Sequence, residues 1–163
     1  MIDKLTPEHA RRIAERYYAK LNTNNPDIVP EVYTEDLRLE DDGSIDVVIG
    51  HAGARAFLET MFKTWPDAHF ELLRDPFIGS DGASMGLLVR GTSSRKSRRK
   101  STGRTAMWEF ASFYEVDLET ERMKYGRIIV NILDITEQIA PIPKRDGKFF
   151  RMLEKIASTG TRK

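Results

Sequence analysis

Leu37-Arg38-Leu39-Glu40-Asp41-Asp42-Gly43 reads as a strand that carries an acid into an apolar interior. Side chains alternate along a strand, so Leu37, Leu39 and Asp41 share one face while Arg38, Glu40 and Asp42 share the other. Two leucines mark the inward face, and Asp41 follows them in phase. Upstream, Thr6-Pro7-Glu8 opens a helix with a capping hydroxyl, a proline at the first helical position and an acid in the first turn. Ala10, Ile13, Ala14, Tyr17 and Leu21 then recur at helical spacing to about Asn22, which sets Tyr17 on the apolar stripe. A phenol and a carboxylate can therefore converge across one interior. That pairing suits proton transfer: the carboxylate removes a proton, and the phenol hydrogen-bonds the oxygen on which charge develops.

The remaining elements extend outward from this pair. Pro26 to Tyr33 reads as a short second helix. After a loop through Gly43 and Asp46, a third helix carries Ala54, Phe57, Leu58, Met61 and Phe62 on one stripe, and Trp65-Pro66-Asp67 stops it. Strand-like runs follow at His69–Leu73, Phe77–Ile78, Ser84–Thr92 and Thr105–Val116, the last with Trp108, Phe110, Ser112, Tyr114 and Val116 on one face. A final strand, about Tyr125–Leu133, runs into Asp134 and a short helical turn near Ile139. Helices early and strands late predict an α+β fold, with helices packed on one face of a curved, mostly antiparallel sheet. Residues 1–142 form a single domain in this reading, and 143–163 are an extension with an amphipathic turn or two around Phe149, Phe150, Leu153 and Ile156.

At 163 residues the chain can build a real core with a pocket inside it. It has no cysteine, which excludes disulfides, thiolate catalysis and cysteine metal sites. No His/Asp/Glu set has metal-ligand spacing and no glycine-rich phosphate loop is present, so no metal and no organic cofactor are expected. The start lacks the pattern of a signal peptide, and no run approaches the roughly 18 apolar residues that span a bilayer. A cytoplasmic protein with no membrane partner is expected. The net charge of +1 conceals an asymmetry: Arg95 to Arg104 holds six Lys/Arg, and without them 20 basic residues face 25 acidic ones. This basic finger between two strands reads as a solvated loop. It has no interleaved aromatic residue for base stacking, so nucleic acid is not an expected partner.

In this order the elements resemble the nuclear transport factor two-like superfamily, and among its branches the SnoaL-like polyketide cyclases and ketosteroid isomerases. Arg16-Tyr17-Tyr18-Ala19-Lys20-Leu21-Asn22 is similar to the isomerases' first helix, which implies that Tyr17 contributes to an oxyanion hole. Leu39-Glu40-Asp41-Asp42-Gly43 resembles the segment with their general-base aspartate. Phe57 to Asp67 resembles a SnoaL-like stretch that ends Phe-Pro-Asp, and Gly91-Thr92 and Thr102-Gly103-Arg104 resemble that family's Gly-Thr-His and Thr-Gly-Arg motifs. Asp134 and Gln138 look like its late aspartate, the cyclases' acid/base, and the glutamine that follows. Two positions depart from the pattern: Ser93 stands where histidine is frequent, and Ala111 or Ser112 where the isomerases place a second aspartate. The resemblance implies a cone-shaped sheet wrapped around the N-terminal helices, as in cystatin-like folds, and pairing into a homodimer through the outer sheet face.

The candidate catalytic residues are Asp41, Tyr17, Asp134 and His69. Asp134 continues the alternation Ile128, Val130, Ile132, and two carboxylates in one cup would push their pKa values apart into an acid and a base. Each has a structural alternative: a turn-capping aspartate for Asp41, a core tyrosine for Tyr17, a helix cap for Asp134, a rim residue for His69. Trp65, Trp108, Phe62 and Phe110 are the candidate substrate-binding residues, and such a wall favours a hydrophobic aromatic or polycyclic small molecule. The expected activity is cofactor-independent isomerisation, cyclisation or elimination (lyase or dehydratase) through carboxylate-mediated proton transfer. The alternative is a non-catalytic ligand-binding or assembly module, for which a filled cone would speak.

Overall fold

In the computed structural model, residues 3–44, 46–94, 105–139 and 147–159 are described. Helix α1 (Pro7–Leu21) begins where Thr6 Oγ1 accepts the His9 amide at 3.3 Å, and it buries Ala10, Ile13, Ala14, Tyr17, Tyr18 and Leu21. A 3-10 turn (Pro26–Ile28) and the four-residue α2 (Val29–Val32) follow. The expected second helix is thus broken in two and ends one residue early, because Tyr33 is already extended and opens β1 (Tyr33–Asp41). A two-residue strand, β2 (Val48–Ile49), stands where a plain loop was expected; it pairs with Arg38 and Leu39 and leads into α3 (Gly50–Thr64).

The other strands are β3 (His69–Leu72), β4 (Phe77–Ile78), β5 (Ser84–Ser93), β6 (Ala106–Asp117) and β7 (Arg122–Val130). They form one sheet in the order β2-β1-β7-β6-β5-β3, with β4 added on β5. Every pairing is antiparallel except β1 with β7, which run parallel with Leu39 opposite Gly126 and Asp41 opposite Ile128. The inner face of β6 holds Trp108, Phe110, Ser112, Tyr114 and Val116, all buried, and α1 and α3 cover this face of the sheet. Asn22 ties α1 to β3 by imitating a strand partner: its side chain donates to the Phe70 carbonyl at 2.9 Å and accepts the Phe70 amide at 2.7 Å.

The last strand stops three residues short of the expected end. Helix α4 (Ile132–Ile139) begins there instead, with Asp134 in its first turn. Gln138 on α4 donates to the Met107 carbonyl at 2.6 Å and accepts the Met107 amide at 2.8 Å, so this glutamine caps the free start of β6. The extension contains a three-turn helix, α5 (Lys148–Thr159), where one or two turns were expected. The basic finger Arg95–Arg104 lies outside the described residues.

Candidate active site

Between the inner sheet face and the helices lies a cavity of about 390 Å³. Its floor is a cluster of buried hydroxyls. The Tyr17 hydroxyl lies 2.6 Å from that of Tyr33 and 3.2 Å from that of Tyr114, and the Tyr18 hydroxyl is 3.2 Å from Ser112 Oγ. The strand phase explains the meeting: Tyr114 and Ser112 point inward from β6, Tyr33 from the start of β1, and Tyr17 and Tyr18 down from α1. Five hydroxyl hydrogens serve three mutual hydrogen bonds, which leaves two hydrogens outside those three bonds. Burial raises the pKa of Tyr17, Tyr33 and Tyr114 above the ordinary phenol value, which keeps them protonated as donors.

Asp41 lines the same cavity from the end of β1. Its Oδ1 accepts the Gly43 amide at 2.6 Å, and no Lys or Arg among the described residues forms an ion pair with it. The nearby Arg127 is engaged on the outer face with Glu40 (3.0 Å) and Asp42 (2.6 Å). Burial raises the Asp41 pKa above the ordinary carboxylate value; the Gly43 amide opposes that shift, Asp42 adds to it and Arg127 offsets it.

The walls are aromatic. Trp65 and Trp108 stand 5.1 Å apart between ring centres, and Phe70 meets Phe110 edge to face at 6.0 Å. Phe57, Met61, Ile128, Val130, Ile132 and Ile135 complete much of the apolar lining, with Thr60, Thr64 and Ser44 adding polarity. No Lys, Arg or His lines the cavity among the described residues.

Tyr17, Asp41, Trp65, Trp108 and Phe110 are therefore brought together, and three expected residues are not. Asp134 is off the cavity, half-buried, with its amide bonded to the Asn131 carbonyl (3.1 Å) and side chain (3.3 Å). The alternation through Ile132 fails because the chain turns helical at Ile132, and helical spacing then sends Ile132 and Ile135 inward and leaves Asp134 aside. The two-carboxylate site is not assembled. His69 is exposed on β3, on the face opposite the buried Phe70. Phe62 is buried in the core but does not reach the cavity, which Phe57 and Met61 on the same helix line instead. Tyr33 and Tyr114 were missed as site residues. Their signal was a polar tip repeated on inward-facing positions, with Ser112 in the middle of an apolar row. Asp67 of the Trp-Pro-Asp stretch also finds its use here: it accepts Ser93 Oγ at 2.5 Å and the Ser94 amide at 3.0 Å, which ties the end of β5 to the end of α3 and holds its pKa below the ordinary carboxylate range.

A mostly antiparallel sheet with helices over one face is the fold of nuclear transport factor two-like proteins, and the aromatic cavity between the layers has the size and lining that suit a small molecule. The family model of the SnoaL-like domain matches residues 14–124, and the chain belongs to that family. A structure from Acidithiobacillus ferrooxidans, assigned as a polyketide cyclase, superposes with a TM-score of 0.70 at 19% identity, covering 80% of this chain and 94% of that one. A protein from Jannaschia sp. CCS1, assigned as a SnoaL-like polyketide cyclase, gives 0.69 at 14% identity, with 88% and 100% covered. The epoxide hydrolase/cyclase-like enzyme SalBIII of pyran ring formation in polyether salinomycin gives 0.65 at 19% identity, with 78% and 94% covered. A comparison with curated protein sequences finds no match.

Proposed function

We propose that the cavity is the active site of a cofactor-independent enzyme that moves a proton on a hydrophobic aromatic or polycyclic carbonyl compound. One observation carries the reading: an Asp41 carboxylate with no counter-ion among the described residues faces the same apolar cavity as a hydroxyl cluster with two hydrogens outside its mutual bonds. Asp41 takes the proton beside the carbonyl, and Tyr17, polarised by Tyr33 and Tyr114, donates to the oxygen as it becomes negative. The product then follows from the substrate: isomerisation, ring closure or elimination. A wall with no Lys, Arg or His among the described residues, holding one carboxylate, admits neutral compounds and disfavours anions. The protein works as a cytoplasmic homodimer in this reading.

A panel of aromatic ketones and polyketide-like compounds, each paired with a carboxylate analogue, tests it. The ketones should bind and turn over and the carboxylates should not. Asp41→Asn should abolish measurable turnover. Tyr17→Phe should lower it by about 10²–10³-fold, the roughly 2.7 to 4 kcal/mol of an oxyanion donor, with at most about 1 kcal/mol lost from folding. Full turnover in Asp41→Asn would sink the assignment. Tight ligand binding with no turnover in the wild type would favour the carrier reading, which the displaced Asp134 supports.

A further inference from the structure

Helix α5 separates its side chains by chemistry. Phe149, Met152, Leu153 and Ile156 stand at i, i+3, i+4 and i+7, which is one stripe of a helix, and all four are exposed. Phe150 widens the stripe, its ring edge to face with that of Phe149 at 5.5 Å. Lys148 and Lys155 lie one turn to either side of Met152, at the border of the stripe, and Arg151 lies across the helix from Phe149 and Leu153. The sequence around the helix repeats the sign: residues 143–163 carry seven Lys/Arg against two Asp/Glu, a net +5.

We propose that α5 lies in the plane of an anionic phospholipid surface, with its apolar stripe among the acyl chains and its cations on the lipid phosphates, and so holds the domain at a membrane. Length fixes the posture. Twelve residues make about 18 Å of helix against roughly 30 Å of hydrocarbon, so α5 can lie on a bilayer and cannot cross it. The charges choose the lipid, because a basic polar face opposite Phe and Leu is the pattern that anionic headgroups hold at the interface. From the border of the stripe, Lys148 and Lys155 can lay their alkyl stems along the apolar layer while their ammonium groups reach phosphate. The chain's own outer sheet face is apolar too, with Met107, Phe113 and Ile129 half-exposed, but it does not answer these cations. The acids that flank it are already held, Glu40 and Asp42 by Arg127, and Glu71 and Glu109 by Arg90. The six Lys/Arg of Arg95–Arg104, which precede Met107 in sequence, carry the same sign as α5. The expectation of no membrane partner rests on spanning runs alone and does not bear on a helix in the surface plane.

Co-sedimentation of the full chain with phosphatidylglycerol vesicles, set beside phosphatidylcholine vesicles, tests this. Binding to the first and not to the second is expected, weakened by about 0.5 M salt because charge leads it. Leu153→Asp should lower the partition coefficient by roughly tenfold or more, the worth of one leucine withdrawn from an apolar phase. Lys148→Glu combined with Lys155→Glu should lower it by a similar factor, and circular dichroism checks that each variant is folded. The cations of Arg95–Arg104 could hold the chain on anionic lipid by themselves, so a variant with Arg95, Lys96, Arg98, Arg99, Lys100 and Arg104 each changed to Ser is the control. It should still bind, and its binding should still depend on Leu153. Absence of binding to phosphatidylglycerol, equal binding to both lipids, a Leu153→Asp variant that binds as the wild type does, or binding that vanishes in the control would each overturn the proposal. So would a wild-type dimer that Leu153→Asp splits in the absence of lipid, which would assign the stripe to a second copy of the chain.

Discussion

Asp41 answers to two demands that oppose each other. Its raised pKa means that the folded state binds a proton more tightly than the unfolded chain does. The sign follows: between the ordinary carboxylate value and the raised one, stability falls as pH rises, and above that window the ionised group is a standing cost. Asp41→Asn removes the titration while leaving an oxygen for the Gly43 amide. The variant should therefore melt higher than the wild type at neutral pH, with the advantage shrinking as pH drops through the window. Thermal melts across that range decide it; an equal or lower Tm at neutral pH would mean that burial is not what sets this group's ionisation. Turnover should move the opposite way with acid, since the base must be ionised to act. At this scale the sequence was informative where one periodicity held, as for Tyr17 and Asp41. It misled at Asp134, whose phase depended on a strand that had already ended.

The elements of the site are shaped from behind by glycines. Gly126 on β7 sits between Leu39 and Tyr114, and a β-carbon there would lie 2.6 Å from Leu39 Cδ1 and 2.8 Å from the Tyr114 ring. Trp108 lies even closer over Gly91, within 2.4 Å of where a β-carbon would stand. Neither ring has a flexible end that could yield, so strands β5 and β7 must leave these positions bare for the aromatic residues of β6 to lie flat. Gly126→Ala should cost about 1 to 3 kcal/mol by overpacking and push Tyr114 away from Tyr17. Urea melts measure the first effect, and reduced turnover with Tyr33 intact reports the second. An unperturbed variant would mean that the sheet adjusts freely there. The order and type of most elements could be read from periodicity, because α1, α3 and β6 each keep one apolar face. The β7–α4 boundary could not, since Ile128 to Ile132 fits either period until tertiary packing chooses.

Across the whole molecule, the parallel pairing of β1 with β7 was also absent from the local pattern, because nothing in either strand names its neighbour. It joins Asp41 to Ile128 and Leu39 to Gly126, residues close to the opposite ends of the domain. The cost of closing so long a loop must be met before that contact repays anything, and such pairings form late. The helices and the β5–β6 hairpin contacts are local by comparison. Time therefore enters the design: the chain emerges with its general-base candidate early, yet that carboxylate has no site until the last strand arrives. A refolding experiment should recover helical signal before it recovers binding of a cavity ligand, and simultaneous recovery would argue for a single concerted step. Until β7 docks, β1 is an uncovered strand edge bearing Leu37 and Leu39, open to pairing with any neighbour. The architecture that encloses the chemistry is also the one that leaves the nascent protein most exposed to aggregation.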